Sequence, residues 1–210
     1  MATSIAKENI LKRIREALIN PVPLPFPQSE GSNSVYVQSN DEPVVVFAEE
    51  FTKLQGKFAF CTDAKDFELQ LQQLIQQRSW NKIYCLESKL QQTLQSINIT
   101  HYDDLSSCDV AITCCEYLVA RTGTIVMSTA QQSGRTASVY APIHICVAYS
   151  SQLVSDVKDS LQLMKEKYAD NFPSFTTFAS GPSRTADIEK TLVTGVHGPK
   201  EVFCFLIDNN

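Results

Sequence analysis

Between Lys57 and Gln95 two short apolar runs, Lys57 to Cys61 (KFAFC) and Lys82 to Leu86 (KIYCL), alternate with segments of helical period. No other feature constrains the fold as tightly, because strand, helix and strand in succession imply a parallel pair with the helix crossing one face of the sheet. Ahead of the first run, Val45 or Val46, Phe47, Phe51 and Leu54 recur at helical spacing from Glu42, and Gly56 ends the segment. The stretch PVVVFA also fits a strand, but the longer period favours a helix. After the first run, Asp63 or Thr62 stands where a cap belongs, and Phe67, Leu71, Leu74 and Ile75 line one face. A further helix is expected over Ser88 to Gln95.

The middle of the chain changes character. Asp109 to Met127 is strand-like almost throughout, interrupted only by Arg121-Thr122-Gly123. This predicts an antiparallel hairpin in an otherwise parallel sheet. Pro142 to Tyr149, Phe175 to Phe178 and Val202 to Ile207 supply more strands, the last apolar enough to be buried on both faces. Ser151 precedes a helix with Leu153 or Val154, Val157, Leu161, Met164 and Tyr168 on one face. Upstream, residues 4 to 19 form an amphipathic helix stopped by Asn20-Pro21, and Pro21, Pro23, Pro25 and Pro27 then alternate in an extended linker. The expectation is an α/β layered domain with a mixed sheet over residues 35–210, preceded by an N-terminal helical arm and Pro-rich linker over 1–34.

A chain of 210 residues with net charge -5 and scattered basic residues argues against a nucleic-acid partner. Charges at Lys7, Glu8, Lys12, Arg13, Arg15 and Glu16 interrupt any apolar run, so no signal peptide is expected, and no segment approaches membrane-spanning length. Seven cysteines without a CxxC pair point to a reducing compartment, so a cytoplasmic location is expected.

Polar groups collect beside the strands in four places. Glu116 lies close to the turn Thr122-Gly123-Thr124, whose amides and hydroxyls suit an anion. The loop Ser133-Gly134-Arg135-Thr136 leaves Arg135 free to reach one. Pro142 and His144 open a strand. The stretch SGPSRTADIEKTLVTGVHGP, Ser180 to Pro199, concentrates donors between turn-forming glycines and prolines. A short helix is expected there around Ile188 to Val193. Capped by Thr185 or Ser183, its free amides would point where the Arg184 guanidinium does. All four places sit at strand ends, where open α/β sheets bind ligands. His197, between two glycines, is a better proton carrier than His144, which suits a core as well as a cleft. There is no GxGxxG, GxxxxGK[ST] or GxSxG motif, and the histidines at 101, 144 and 197 lack metal-ligand spacing. No metal site and no cofactor bound by this chain are expected.

On ITCCEYLVARTGTIVMS, GRTASVYAPIHI and SGPSRTADIEKTLVTGVHGP the chain resembles the lactate-utilisation protein C family, which carries a LUD domain. The resemblance covers the last half of the chain. It implies a three-layer α/β/α fold of the kind shared by sugar-phosphate isomerases and CoA transferases. It also implies a part in oxidising L-lactate to pyruvate beside partner proteins that hold iron-sulfur clusters. The family pattern falls on Glu116, Tyr117, Thr122, Gly123, Thr124, Arg135, Pro142 and His144, on Ser180 to Glu189, and on Gly195 to Pro199. Two departures stand out. Cys114-Cys115-Glu116 replaces the usual Gly-Ala-Asp, and Arg121 replaces a glutamate, reversing a charge and removing any acid chemistry at that position.

The leading expectation is a non-redox subunit that holds a small anionic ligand. Arg184 and Arg135 would grip it, Ser180, Gly181, Ser183, Thr185, Asp187 and Gly198 would shape the loop, Thr122 to Thr124 would assist, and His197 would exchange a proton. The alternatives are a stand-alone isomerase or CoA-transferase-like enzyme, with Glu116 as base or nucleophile and His144 or His197 as proton carrier, and a non-catalytic assembly or regulatory protein. A homo-oligomer is open in each case.

Overall fold

A computed structural model describes residues 5–19, 41–188 and 191–209. The chain divides into two units, Met1–Gln38 and Ser39–Asn210. In the first, α1 (Ile5–Ile19) is the described element, and the Pro-rich linker expected after it lies outside the described residues.

The second unit begins with α2 (Pro43–Lys53), β1 (Lys57–Cys61), α3 (Ala64–Arg78), β2 (Ile83–Tyr84) and α4 (Ser88–Ser96). Pro43 opens α2 in the first turn, where a missing N–H costs nothing, and Phe47 and Phe51 are buried one turn apart with ring centroids 5.4 Å apart. Asp63 caps α3 by accepting from the Asp66 amide at 2.8 Å, and Phe67, Leu71 and Ile75 form its buried stripe. The run KIYCL keeps only two residues in the ladder, because the Cys85 carbonyl already accepts from Gln91 Nε2 at 2.8 Å.

Next come β3 (Val110–Cys114), β4 (Tyr117–Val119), β5 (Thr124–Ser128), α5 (Ala137–Tyr140), β6 (Ile143–Tyr149), β7 (Leu153–Val154), α6 (Val157–Tyr168), β8 (Thr176–Ala179), β9 (Arg184–Ile188), β10 (Thr191–Thr194) and β11 (Glu201–Ile207). A five-stranded sheet in the order β1-β11-β6-β3-β2 is parallel throughout. One face packs Ile112, Ile145, Val147 and Phe205 against Phe67, Leu71, Leu90 and Leu94 of α3 and α4. The other packs Cys146, Cys204 and Leu206 against Phe47 and Phe51 of α2 and against Leu118, Ile125 and Met127. Fully burying each large side chain contributes roughly 1.5–3 kcal/mol.

Those last three residues belong to the expected hairpin, which sits in a second sheet rather than in the parallel one. Its order is β7-β4-β5-β8, with β4 and β5 antiparallel. The alternation explains the placement: Leu118, Ile125 and Met127 face the parallel sheet, while Val119 and Val126 meet Met164 of α6. A hairpin apolar on both faces forms a layer of its own between a sheet and a helix.

Two local expectations change. The helix placed after Ser151 starts at Val157, because Asp156 and Asp159 form a capping box, and Leu153 with Val154 pairs with β4 instead. The helix placed at Ile188 to Val193 is an antiparallel ribbon of β9 and β10, with Thr185 opposite Val193 and Arg184 opposite Thr194. Strand-favouring Thr, Ile and Val dominate those residues, and the polar turn chemistry around them concealed it. The cap and free amides expected from Thr185 or Ser183 fall away with the helix.

Candidate functional site

The expected site residues divide between the two ends of the parallel sheet. At the amino end, Pro142 leads into β6 and its carbonyl accepts from the Lys200 amide just before β11, at 2.8 Å. Ser183 joins the same place, its amide donating to the Pro199 carbonyl and its carbonyl accepting from the Gly195 amide, each at 2.9 Å. Gly195 has φ of 80°, which favours glycine, and a Cβ on Gly198 would stand 3.0 Å from the Ser183 Cβ, so Gly198 lets the loop pass close to Ser183. Between this loop and α5 lies an open cavity of about 450 Å³. Val139, Tyr140, Ala141 and Pro142 form one wall, and Val196, His197 and Lys200 face them.

The TGT turn sits against α2. Thr124 Oγ1 lies 2.8 Å from the Thr122 hydroxyl and 2.6 Å from the Ser180 hydroxyl, which ties the turn to the SGPSR stretch. Gly123 has φ of 54°, and a Cβ there would come within 2.3 Å of the Phe51 backbone nitrogen. Gly181 has φ of 134°, and its Cβ would come within 2.5 Å of the Leu54 carbonyl oxygen. Both glycines therefore let loops press on the end of α2. Arg121 does not present a reversed charge to a ligand: its Nε donates to Asp156 at 2.6 Å, at the cap of α6. That pair holds the Asp156 carboxyl below its usual range.

The two arginines expected to grip one anion are separated. Arg135 is exposed and lies over the Phe175 ring at 5.6 Å, whereas Arg184 belongs to the ribbon beyond Ser180. Phe175 and Ser180 flank β8, and a strand rise of ~3.3 Å per residue puts them on the order of 15 Å apart. Arg184 is exposed and Thr185 half-buried in β9, which also contains Asp187.

Glu116 and His144 are built into the interior. Glu116 is 3% exposed; its Oε1 accepts from Ser128 at 2.5 Å and Tyr168 at 2.8 Å, and its Oε2 accepts from Lys167 at 2.8 Å. Burial works to raise this carboxyl, but the three donors together prevail and hold it below the usual range. With both oxygens occupied it is a poor base or nucleophile. His144 is 1% exposed, its Nε2 lies 2.8 Å from Thr113 Oγ1, and burial lowers it to about 4. His144, the alternative proton carrier, is thus a neutral core histidine, paired in register with Ala111 and Val202.

Sequence reasoning missed three residues. Tyr140 and Lys200 join His197 at the cavity, and no local pattern links α5 to the 195–200 loop. Glu87, beyond the carboxyl end of β2, is 6% exposed; its Oε1 accepts from the Cys114 amide at 3.3 Å and its Oε2 has no partner among the described residues. Burial pushes it above the usual carboxylate range, against the opposing pull of Ser133 and the Cys114 amide. No local sequence pattern singles it out, because its surroundings come from β3 and Ser133. Burial also pushes the neighbouring Cys85 and Cys114 thiols up to about 12, so neither is a thiolate nucleophile. Among the described residues no group of three or more His, Cys, Asp and Glu could hold a metal ion, and no helix is long and apolar enough to cross a membrane.

Comparison with known proteins bears on this arrangement. The model of the LUD domain matches residues 35–207. A "Lactate utilization protein C" of Halalkalibacterium halodurans is 38% identical over 102 residues, 47% of this chain and 44% of that protein. One from Bacillus licheniformis is 31% identical over 103 residues, 48% of this chain and 43% of that protein. One from Deinococcus radiodurans is 34% identical over 100 residues, 47% and 46% of the two chains. The match spans less than half the length of these curated relatives. A crystal structure of a DUF162 family protein from Deinococcus radiodurans superposes with a TM-score of 0.58 at 18% identity, covering 81% of this chain and 99% of that one, which supports the α/β fold. With the LUD domain matching most of its length, this chain belongs to the LUD domain family.

Proposed function

We propose that this chain serves in lactate utilisation as a component that holds a small anionic ligand, while iron-sulfur partner proteins take the electrons. The observation that carries the reading is its likeness to several proteins named for lactate utilisation, at 31% to 38% identity in the three cited. Oxidising a hydroxy acid requires an electron acceptor, which cofactors supply and side chains do not. The chain's contribution is then to bind and orient. His197 and Lys200, exposed beside the amino-end cavity, favour an anion there, and His197 is placed to exchange a proton with it. A stand-alone enzyme built on Glu116 and His144 has less support, since one carboxylate is fully bonded and the other side chain is sealed in the core.

Growth of a strain lacking this gene on L-lactate as sole carbon source tests the role. The expected result is loss of growth on L-lactate with normal growth on pyruvate, restored by the wild-type gene. Undiminished growth on L-lactate would overturn the role. Recovery of iron-sulfur proteins with the tagged chain checks the partners.

A further inference from the structure

The amino-end cavity has a composition that a three-carbon acid does not call for. It encloses about 450 Å³, within the range of clefts that hold cofactor-sized or drug-sized molecules. Val139, Ala141, Pro142 and Val196 give it an apolar wall beside a polar one. Tyr140 stands at the edge with 73% of its surface exposed and no ring contact among the described residues. An exposed aromatic side chain beside an apolar wall offers a stacking face. Lys200 and His197 supply the polar side, and among the described residues Lys200 makes no ion pair. The adjacent Glu201 does not offset it, because that carboxylate is taken by Lys57 and Arg78.

We propose that this cavity binds an anion carrying a flat ring, the ring lying on Tyr140 and the anionic group meeting Lys200 and His197. The inference rests on the anion-binding part of the proposed function and adds the ligand's second half. A phosphate or a carboxylate satisfies the cationic side, and the ring distinguishes either from a simple acid.

The test is a thermal-shift titration of the full chain with AMP (ring and phosphate), nicotinate (ring and carboxylate), adenosine (ring alone), inorganic phosphate and L-lactate (no ring). The expected result is a saturable rise in melting temperature with AMP or nicotinate that exceeds the rise with every other probe. Tyr140→Ala should weaken that probe about fivefold and Lys200→Met about tenfold, while Tyr140→Phe binds as the wild type does. No shift with AMP or nicotinate overturns the proposal. So does a phosphate or lactate shift as large as theirs, or an unchanged affinity in the Tyr140→Ala/Lys200→Met double variant. Loss of growth on L-lactate without ring-anion binding would sink this inference alone, leaving the lactate-utilisation role in place.

Discussion

At the carboxyl end of the parallel sheet, Glu87 and Glu116 are both buried; at the amino end, Tyr140, His197 and Lys200 are all exposed around a cavity. The carboxyl end is the customary ligand side of an open α/β sheet. Here neighbouring protein groups bond to one another. Gln132 accepts from the Ser88 amide at 2.9 Å, and Gln152 Nε2 donates to the Cys115 and Glu116 carbonyls. Polar groups bonded to one another inside a protein fix its structure, whereas exposed cationic groups beside a cavity remain available to a ligand. The two glutamates sharpen the point. Glu116 has Ser128, Tyr168 and a lysine as donors and is held low, whereas Glu87 has Ser133 and backbone amides but no cation and is held high, so burial alone does not decide a carboxyl's state.

The largest expected effect is at the α2 contact. Gly123→Ala adds a Cβ against the Phe51 backbone at positive φ and should cost about 3 kcal/mol or more, read from urea unfolding. A cost under about 1 kcal/mol would mean that the loop withdraws freely from α2. Glu116→Gln comes next, at about 1.5–3 kcal/mol at neutral pH, because charge-assisted bonds are lost. The carboxyl is lowered in the folded state, so its stabilisation is present above the unfolded pKa and disappears as pH falls through the folded one. The difference between variant and wild type should therefore shrink below about pH 4.

Glu87→Gln should act in the opposite sense and more weakly, raising stability by about 1 kcal/mol near pH 8. Its carboxyl is raised in the folded state, so ionisation disfavours folding above the folded pKa, and the penalty is relieved as pH falls toward the unfolded value. Melting temperature against pH for the two variants should give curves that move in opposite directions; parallel curves would contradict the distinction between the two acids. The smallest effect belongs to His197→Ala, whose exposed ring should leave stability within about 0.5 kcal/mol while weakening anion binding.

Periodicity made much of this fold legible. Strands β1, β6 and β11 and the stripe Phe67-Leu71-Ile75 follow from local pattern, and the family signatures in the last half were readable directly. What failed depended on distant partners. The hairpin's residence in a second sheet is set by Met164 and by the parallel sheet, neither of which lies in the hairpin. Arg121 looked like a change of charge at the site because its partner Asp156 is 35 residues away. Glu87 became conspicuous only when β3 brought the Cys114 amide to it. The ribbon of β9 and β10 was missed for a local reason: short polar strands bounded by glycines and prolines carry little periodic signal.

The most direct test of the amino-end site is to map backbone amide resonances while AMP, and separately L-lactate, is added to the labelled protein. Perturbations confined to 137–142 and 195–200 are predicted for AMP, with weaker changes in the same residues for L-lactate. Perturbations centred on Glu87, Cys114 and Ser133 would place the ligand at the carboxyl end and contradict the account.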